Sequence, residues 1–311
     1  MRGHPVTAAV LLATYAAAAG LLAPAALRRG WAARSPRLAM SVWLVLPVSW
    51  TVAVVLAVLA ATAPSRLTWP GPQPGGSQVL PAGPAPGGPA VAVTGLLLAA
   101  AVVLRTGWCL ARELTRSRRD RHEHAALVAA TGRPCPELGV VVLDHDAPAA
   151  YCMPCGRYRL VVSAGALAVL GPGQLHAVLA HERAHLRYRH HLMLAIAAAL
   201  ARAFPRVPLF AQAGPELGVL PEMAADDAAA RRHGRDQLAR ALVVLARAGT
   251  LPAALAAGGP AAIARVQRLL APPQQRRARR ACLAATAGLL LPAAIACLPV
   301  IIVACDVTAH P

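Results

Sequence analysis

The sequence is poor in charged residues, above all in acidic ones, and it contains no lysine. Charged residues make up 14% of its 311 residues and apolar residues 57%, with a mean hydropathy of +0.51. Because soluble domains contain roughly a quarter charged residues, this composition excludes an ordinary soluble two-domain protein. It predicts an integral membrane protein that carries one polar module.

Two further absences narrow the functions that the chain can have. The 7 cysteines are an odd and scattered set, which excludes a disulfide framework. The net charge of +18 comes without any basic patch interleaved with aromatic residues, so nucleic acid is not a predicted partner. The arginines gather instead at the ends of apolar stretches, as they do beside membrane spans.

Four apolar stretches are long enough to cross a bilayer, which takes about 20 residues. They predict transmembrane helices at 5–27, 40–62, 89–111 and 281–305. The first is longer than the apolar core of a typical signal peptide and is closely followed by two more, so we expect it to be retained. Arg105, near one end of the third, is expected to extend its side chain to the headgroups.

The arginines also predict the orientation of the chain. Three arginine clusters, at 28–37, 112–121 and 276–280, fall on one side of the membrane, whereas the Pro/Gly-rich loop 63–88 contains only Arg66. The positive-inside rule then places the loop and both termini outside. The predicted domains are three membrane helices within 1–111, a cytoplasmic module at 112–280, and a fourth membrane helix with a short tail at 281–311.

The module has the pattern of an α+β domain. Short Val-rich runs predict strands at 139–143 and 158–162. Helices are predicted at about 174–189, at 191–204, at 221–233 and at 237–248. The apolar helix at 191–204 is too short to span, and we expect it to lie against the membrane face.

A metal-binding pattern stands in the first of these helices. In His181-Glu182-Arg183-Ala184-His185 the two imidazoles are four residues apart, so they share one helical face and can bind one metal. Glu182 is rotated away from them, beside the metal, where it can take a proton from water. The alternative is a helix that exposes ordinary surface histidines.

A catalytic zinc of this kind needs a third protein ligand and an open position. Glu222 and Asp226 are four residues apart on a helix that Pro221 is predicted to begin. Glu222 would complete a His, His, Glu set, and Asp226 would hold a ligand histidine by its second ring nitrogen. The alternative is a solvated helix face, although Ala and Met surround both acids and the chain has only 13 acidic residues.

Two motifs near the site have weaker interpretations. His190 and His191 follow the site by more than a helical turn, which favours a structural or interfacial role over a second metal. Cys152 and Cys155 form a CxxC pair without a second pair or a following helix start, so a redox or metal function is the less favoured alternative. No residue is assigned to stabilise an oxyanion.

The motifs together resemble a known family. LAHERAHLRYRHH, at 179–191, followed by LPEMAADDAAARRHG, at 220–234, is similar to the BlaR/MecR-type integral-membrane zinc metallopeptidases, which are gluzincins related to HtpX-like and CAAX prenyl proteases. VVVLDHDAPAAYCMPCGRYRLVVSAGALAVL, at 140–170, resembles the segment that precedes the metal helix in that family.

The resemblance implies an α-helical membrane protein with an inserted α+β gluzincin-like domain. It implies one Zn²⁺ per chain with three ligands, Glu182 as general base and Asp226 behind the ligands; the implied ligands are His181, His185 and Glu222. It also implies an edge strand that pairs with the substrate backbone, at Ala149, Ala150 and Tyr151.

The same resemblance implies a function in signalling. We expect an endopeptidase that cleaves a cytoplasmic transcriptional repressor, or itself, with the lipid bilayer and a protein substrate as its partners. BlaR/MecR proteins carry a penicillin-binding sensor domain after the last span; this sequence shows none, so direct β-lactam sensing is not expected. The alternatives are an HtpX-like protease for membrane-protein quality control and a non-catalytic membrane receptor that contains a metal-binding module.

Overall fold

The computed structural model describes residues 5–27, 31–62, 88–155, 160–248 and 259–271. These ranges are mostly helical, with one small sheet. The helices are α1 (Pro5–Leu27), α2 (Trp31–Arg34), α3 (Pro36–Thr62), α4 (Gly88–Thr131), α5 (Ala164–Val169), α6 (Pro172–Arg187), α7 (His190–Ala203), α8 (Pro208–His233), α9 (Arg235–Arg247) and α10 (Gly259–Leu270).

Three of these helices are long and apolar enough to cross a membrane. The candidate spans are Ala9–Leu27 in α1, all of α3 and a segment of α4. They coincide with the first three predicted spans, and each has the continuous apolar surface that lipid contact requires. The predicted fourth span, 281–305, lies outside the described residues, as does most of the loop 63–88.

Helix α4 does not end at residue 111, where the predicted third span ends. It continues to Thr131 as one helix of 44 residues, which is about 66 Å long at 1.5 Å per residue. Two exposed i,i+4 ion pairs, Arg116–Asp120 and Arg119–Glu123, support the added turns. The continuous helix therefore connects the membrane segment directly to the predicted module.

The sheet has four strands in the order β1-β2-β4-β3: β1 (Arg133–Cys135), β2 (Val140–Leu143), β3 (Ala150–Cys152) and β4 (Leu160–Ser163). Strands β2 and β4 are parallel, and the outer strands pair antiparallel with them. The sequence predicted β2 and β4 to within two residues, and β3 is the predicted edge strand. Strand β1 was not predicted, because Arg-Pro-Cys has no strand pattern.

Both faces of the sheet are covered, and the covering helices include the end of α4. One face places Val140 and Val162 against α6 and α9. The opposite face places Val141 and Val161 against Val128 of α4. Alternation of side chains along each strand produces these two faces. Helix α6, which carries the HExxH pattern, is thus held against the sheet and beside its edge strand.

The apolar helix predicted at 191–204 is present as α7, and it packs against candidate membrane helices. Helix α7 packs mainly on α4 and α8, and the first half of α8 packs along α3. Leu200, Phe210 and Leu217 share one core with Trp43 and Leu46. Trp50, about 21 Å along α3 from its first residue, contacts the rings of Phe204 and Phe210, with centroids 5.1 and 5.0 Å away. Much of the apolar surface of these helices is therefore buried against candidate membrane helices, while Leu194 of α7 is exposed.

Arg105 has a different role from the predicted one. Its Nε donates a hydrogen bond of 2.8 Å to the carbonyl oxygen of Ala203, at the end of α7. The last carbonyls of a helix have no partner within the helix, so this bond satisfies one of them. Arg105 therefore caps α7, and Arg202 in the same last turn pairs with Glu113 of α4.

Helix α8 begins at Pro208, so the predicted start at Pro221 is wrong. Pro215 and Pro221 both lie inside the 26-residue helix. An internal proline removes one backbone hydrogen bond and ordinarily costs about 3 kcal/mol. Leu217 and Leu220 are buried against α3, and this burial offsets that cost.

Candidate active site

The central element of the site is α6, whose ends are set by local signals. Gly171 precedes Pro172, and the side chain of Gln174 accepts a hydrogen bond of 3.0 Å from the Gly171 backbone N–H. At the other end, Arg189 adopts a left-handed conformation with φ of 50° and reverses the chain before α7. His181, Glu182 and His185 lie in the last two turns of α6.

The structure brings the three predicted metal ligands together. The Nε2 atoms of His181 and His185 are 3.0 Å apart. The Glu222 carboxylate of α8 lies 3.3 Å from the first nitrogen and 3.4 Å from the second. The predicted His, His, Glu set is therefore a compact triangle built from two helices, with ligand atoms within 4.8 Å of one another.

The dimensions of this triangle fit zinc. Tetrahedral zinc with bonds of about 2.0–2.1 Å separates its ligand atoms by about 3.3–3.4 Å. The three measured separations, 3.0, 3.3 and 3.4 Å, are close to that value. Two imidazole nitrogens and one carboxylate are also the donor set of known catalytic zinc sites. The residues present therefore fit one zinc ion with an open position.

The charges around the triangle favour a cation. Although burial disfavours its charged form, the carboxylates of Asp226 and Glu222 raise the pKa of His181 to about 10. Burial and the positive charge of His181 lower the pKa of His185 to about 3, so that its lone pair stays free. Although burial alone would favour the neutral acid, His181 and Arg265 lower the pKa of Glu222 to about 2. The site thus stabilises a positive charge between an anionic carboxylate and a neutral imidazole.

Asp226 lies where the sequence predicted it, behind a ligand histidine. Its Oδ1 is 3.0 Å from Nδ1 of His181, so Nε2 of that ring is directed at Glu222. Burial opposes its ionisation, yet hydrogen bonds from Arg265 and His181 hold the pKa of Asp226 well below its usual range. The carboxylate therefore fixes the orientation of the His181 ring.

Arg265 was not predicted to belong to the site. It comes from α10 and binds Asp226 through two hydrogen bonds, Nε to Oδ2 at 2.8 Å and Nη2 to Oδ1 at 2.7 Å. Its Nη1 is 3.0 Å from Oε2 of Glu222. Arg265 and Asp226 are 2% and 1% exposed, so this is a buried ion pair that joins both acids of α8. The sequence feature that could have identified Arg265 is an arginine on the apolar side of an amphipathic helix.

The neighbouring acid, Asp227, serves a different contact. Arg268 of α10 binds it through two hydrogen bonds of 2.8 Å, and Nε of the same arginine donates to the carbonyl oxygen of Ala33 in α2. Asp227 therefore helps to hold α10 against α8 and α2, and it is not part of the triangle.

His190, for which a structural or interfacial role was predicted, contacts a histidine of the triangle. Its Nδ1 is 2.9 Å from Nδ1 of His185. The left-handed Arg189 turns the chain, so that the first residue of α7 faces back to the end of α6. Spacing along a continuous helix could not reveal this contact. His190 is buried and is positioned to orient His185, while His191 is only partly buried on α7.

Glu182 interacts with Cys152 of the edge strand and with the charges of His181 and Glu222. Burial raises the pKa of its carboxyl to about 7; His181 and hydrogen bonds from Cys152 oppose this rise, and the negative charge of Glu222 adds to it. Burial and the nearby Glu182 carboxylate also raise the pKa of the Cys152 thiol. A carboxyl with a pKa near neutrality beside a metal site is suited to accept and return a proton.

Strand β3 overlaps the predicted edge strand, Ala149–Tyr151, at Ala150 and Tyr151. Ala150 and Tyr151 pair with β4 on one side, and among the described residues no strand pairs with the other side. Ala149 precedes the strand and is fixed by hydrogen bonds to Ser163. The phenol of Tyr151 contacts Nε2 of His124 at 2.9 Å. The unpaired edge of β3 therefore lies close to Glu182, because Cys152, the last residue of the strand, interacts with that carboxyl.

The CxxC pair is not a disulfide. Cys152 and Cys155 are both free, as are the two other cysteines in the described residues. The Cys155 thiol donates to the carbonyl oxygen of Arg121 at 3.0 Å, which connects the strand end to α4. Cys152 instead interacts with the carboxyl of Glu182. The two cysteines thus have separate contacts, and neither belongs to the metal-binding cluster found in the described residues.

Comparison with known proteins agrees with this site. The family model described as peptidase family M48 matches residues 113–272, slightly more than half of the chain. A protease HtpX homolog from Polynucleobacter necessarius subsp. necessarius (strain STIR1) is 38% identical over 82 residues, which cover 26% of this chain and 28% of that protein. The chain thus matches less than a third of that relative's length. No solved structure matches significantly.

Proposed function

The chain belongs to peptidase family M48, and on that basis we propose that it is a membrane-embedded zinc endopeptidase. The single observation that carries the proposal is the triangle of two imidazole nitrogens and one carboxylate at 3.0–3.4 Å. In this proposal His181, His185 and Glu222 hold one zinc ion per chain, and Glu182 is the general base.

When bound, zinc would supply Lewis acidity that polarises the scissile carbonyl and makes water more acidic. Glu182 takes the proton of the attacking water and later returns it to the leaving amine. Asp226 and His190 keep the ligand rings oriented through their second ring nitrogens. The substrate binds extended along the outer edge of β3, adding a strand to the sheet.

We further propose that the peptidase module, residues 112–280, acts in the cytoplasm as a signal transducer. The resemblance to BlaR/MecR-type proteases and the arginine clusters on one side of the predicted spans support this role. The substrate would be a cytoplasmic transcriptional repressor or the protease itself.

A second candidate is an HtpX-like role in membrane-protein quality control. The 38% identity to a protease HtpX homolog supports it, although the match covers only 82 residues. The two candidates differ in substrate breadth: a transducer cleaves one or a few proteins at defined bonds, whereas a quality-control protease degrades many membrane proteins.

The experiment compares cleavage products in cells that express the wild type, Glu182→Gln or the control Glu123→Gln. Glu123 is an exposed acid on α4 whose recorded ion pair is with Arg119. Products that disappear only with Glu182→Gln identify the substrates, and their number separates the two candidates. Identical product patterns in all three strains would refute proteolysis by this site.

Reporter fusions test the orientation. Fusions at Gly75 should be outside the cell, and fusions at Arg121 or Arg276 should be in the cytoplasm. An outside position for Arg121 would place catalysis outside and remove the repressor as a substrate.

A further inference from the structure

The rear of the metal helix carries a groove of about 240 Å³ that the proposed function does not use. Helix α6 contributes one wall and α8 the other, at positions spaced three and four residues apart on each helix. The groove has a floor of small residues and walls of cationic ones; its lining is Ala180, Ala184, Ala228, Arg183, Arg187, Arg231, Arg232 and Tyr188.

The lining contains four arginines and no acid. In the part of the chain that the structure describes, no carboxylate forms an ion pair with any of these arginines. Arg183 donates one hydrogen bond, to the carbonyl oxygen of Leu138, and keeps four further donors. Four like charges at one groove repel one another unless an anion lies between them, so the groove is complementary to a compact anion.

A second arginine-rich surface shows that this arrangement is not general in the chain. On α4, a shallow surface is lined by Arg112, Arg116 and Arg119 together with Asp120 and Glu123. There the acids neutralise the arginines, at 3.8 Å for Arg116–Asp120 and 2.8 Å for Arg119–Glu123. The α4 surface therefore serves as an internal control with the same type of cation.

The position of the groove indicates where its anion comes from. Tyr188 lines the groove, and the guanidinium of Arg37 lies over its ring at 4.2 Å from the centroid and also bonds its hydroxyl. Arg37 is the second residue of α3, a candidate membrane span that begins at Pro36. The groove is therefore connected, by one side-chain contact, to the end of a membrane helix, at the level where lipid headgroups lie.

We propose that the groove binds the phosphate group of an anionic phospholipid. Arginine binds phosphate oxygens through two parallel N–H bonds, and two walls of arginines can do so from opposite sides. Each water in liquid occupies about 30 Å³, so a groove of this size holds a phosphate together with part of its hydration. The alanine floor allows the phosphate to approach both helix backbones.

The test uses the full-length protein purified in detergent and incubated with phosphatidylglycerol or phosphatidylcholine, with bound lipid counted by native mass spectrometry. The wild type should retain more phosphatidylglycerol than phosphatidylcholine. Replacing Arg187, Arg231 and Arg232 by Gln should weaken this binding about 100-fold, since each cation near an anionic lipid contributes about fivefold. Replacing Arg112, Arg116 and Arg119 by Gln should leave it nearly unchanged.

Three results would overturn the proposal. Equal losses in the two triple variants would mean that total charge, and not the groove, attracts lipid. Displacement of phosphatidylglycerol by an equal concentration of inorganic phosphate would identify a site for a soluble anion. Equal retention of both lipids by the wild type would exclude recognition of the headgroup. Should the groove triple variant fail to fold, Arg187→Gln alone should still lose about fivefold.

Discussion

Glu182 and Glu222 flank the same histidine, yet their surroundings move their acidities in opposite directions. Glu222 lies among His181, His185 and Arg265, whose charges and hydrogen bonds overcome burial and lower its pKa to about 2. Glu182 interacts with Cys152 of the edge strand, and burial and the charge of Glu222 raise its pKa to about 7. One carboxyl is permanently ionised and the other titrates near neutrality.

This difference supports the proposed division of roles, in which Glu222 would bind the metal and Glu182 would transfer protons. A ligand must be anionic before the metal arrives, whereas a base must release its proton again. Pairs of acids whose environments separate their pKa values are a common basis for dividing catalytic roles. Substitutions at these two acids and at their partners test this division of roles.

Glu182→Gln should have the largest effect on catalysis. The amide cannot accept a proton from water, so activity should fall by about 10²–10⁴-fold. Zinc content, measured by elemental analysis of detergent-purified protein, should stay at one per chain. A variant that loses its zinc would show that Glu182 is a ligand and that the two roles have been exchanged.

Glu222→Gln should lower zinc affinity and activity together, because a neutral amide replaces the anionic ligand. We expect a loss greater than the 10–100-fold that removal of an outer partner costs. Competition with a chelator measures it, and Glu123→Gln, at an exposed position on α4, is the control. Full zinc retention in Glu222→Gln would contradict the ligand assignment.

Arg265→Met should remove the cation that keeps Glu222 and Asp226 ionised. It leaves a buried carboxylate without its partner, which costs about 3–5 kcal/mol of stability. Arg268→Met, which removes the partly exposed partner of Asp227, should cost much less. Thermal unfolding in detergent measures the stability of both variants. Equal losses of stability would contradict the larger contribution assigned to Arg265.

His190→Leu should lower zinc affinity by about 10–100-fold while leaving Glu182 and Glu222 in place. If Nε2 of His185 held the metal, Nδ1 would carry the proton and could donate it to Nδ1 of His190, which lies 2.9 Å away. His190→Asn retains an acceptor near that position and should restore much of the affinity. His191→Leu should be neutral, and similar losses in the two leucine variants would show that only packing is involved.

The smallest effect concerns the metal-free protein. Because its folded pKa is raised to about 7, Glu182 favours the folded state at low pH, and this contribution is lost as pH rises from about 4.5 through 7. Metal-free Glu182→Gln should therefore melt a few degrees above the wild type at pH 8 and at the same temperature near pH 4. The opposite dependence would mean that the carboxyl is not raised in pKa.

The sequence predicted the part of the site that is encoded locally. His181 and His185 follow from an i,i+4 spacing, Glu182 from its rotation beside them, and Glu222 with Asp226 from a second such pair. Contacts that depend on a change of chain direction were not predictable. His190 reaches His185 only because Arg189 is left-handed, and Arg265 arrives on a helix far along the chain.

The fold was predicted to a similar depth. Apolar length located the first three membrane helices and Val-rich runs located β2 and β4. The continuation of α4 to Thr131 was missed, because its charged residues read as the start of a polar module. The true start of α8 was missed for a related reason: Pro221 is a strong local signal, and only burial against α3 overrides it.

The shared core of α3, α7 and α8 has a consequence for the biosynthesis of the protein. Leu209, Phe210 and Leu217 are fully buried in this core, and the same α8 carries Glu222 about three turns after Phe210. The helix that carries the third candidate ligand is therefore packed against candidate membrane helices. We expect a newly made chain to lack a competent site until its helices are inserted into the membrane. Proteolysis would then depend on membrane insertion. The peptidase module released from its membrane helices should aggregate, and it should not act as a free cytoplasmic protease.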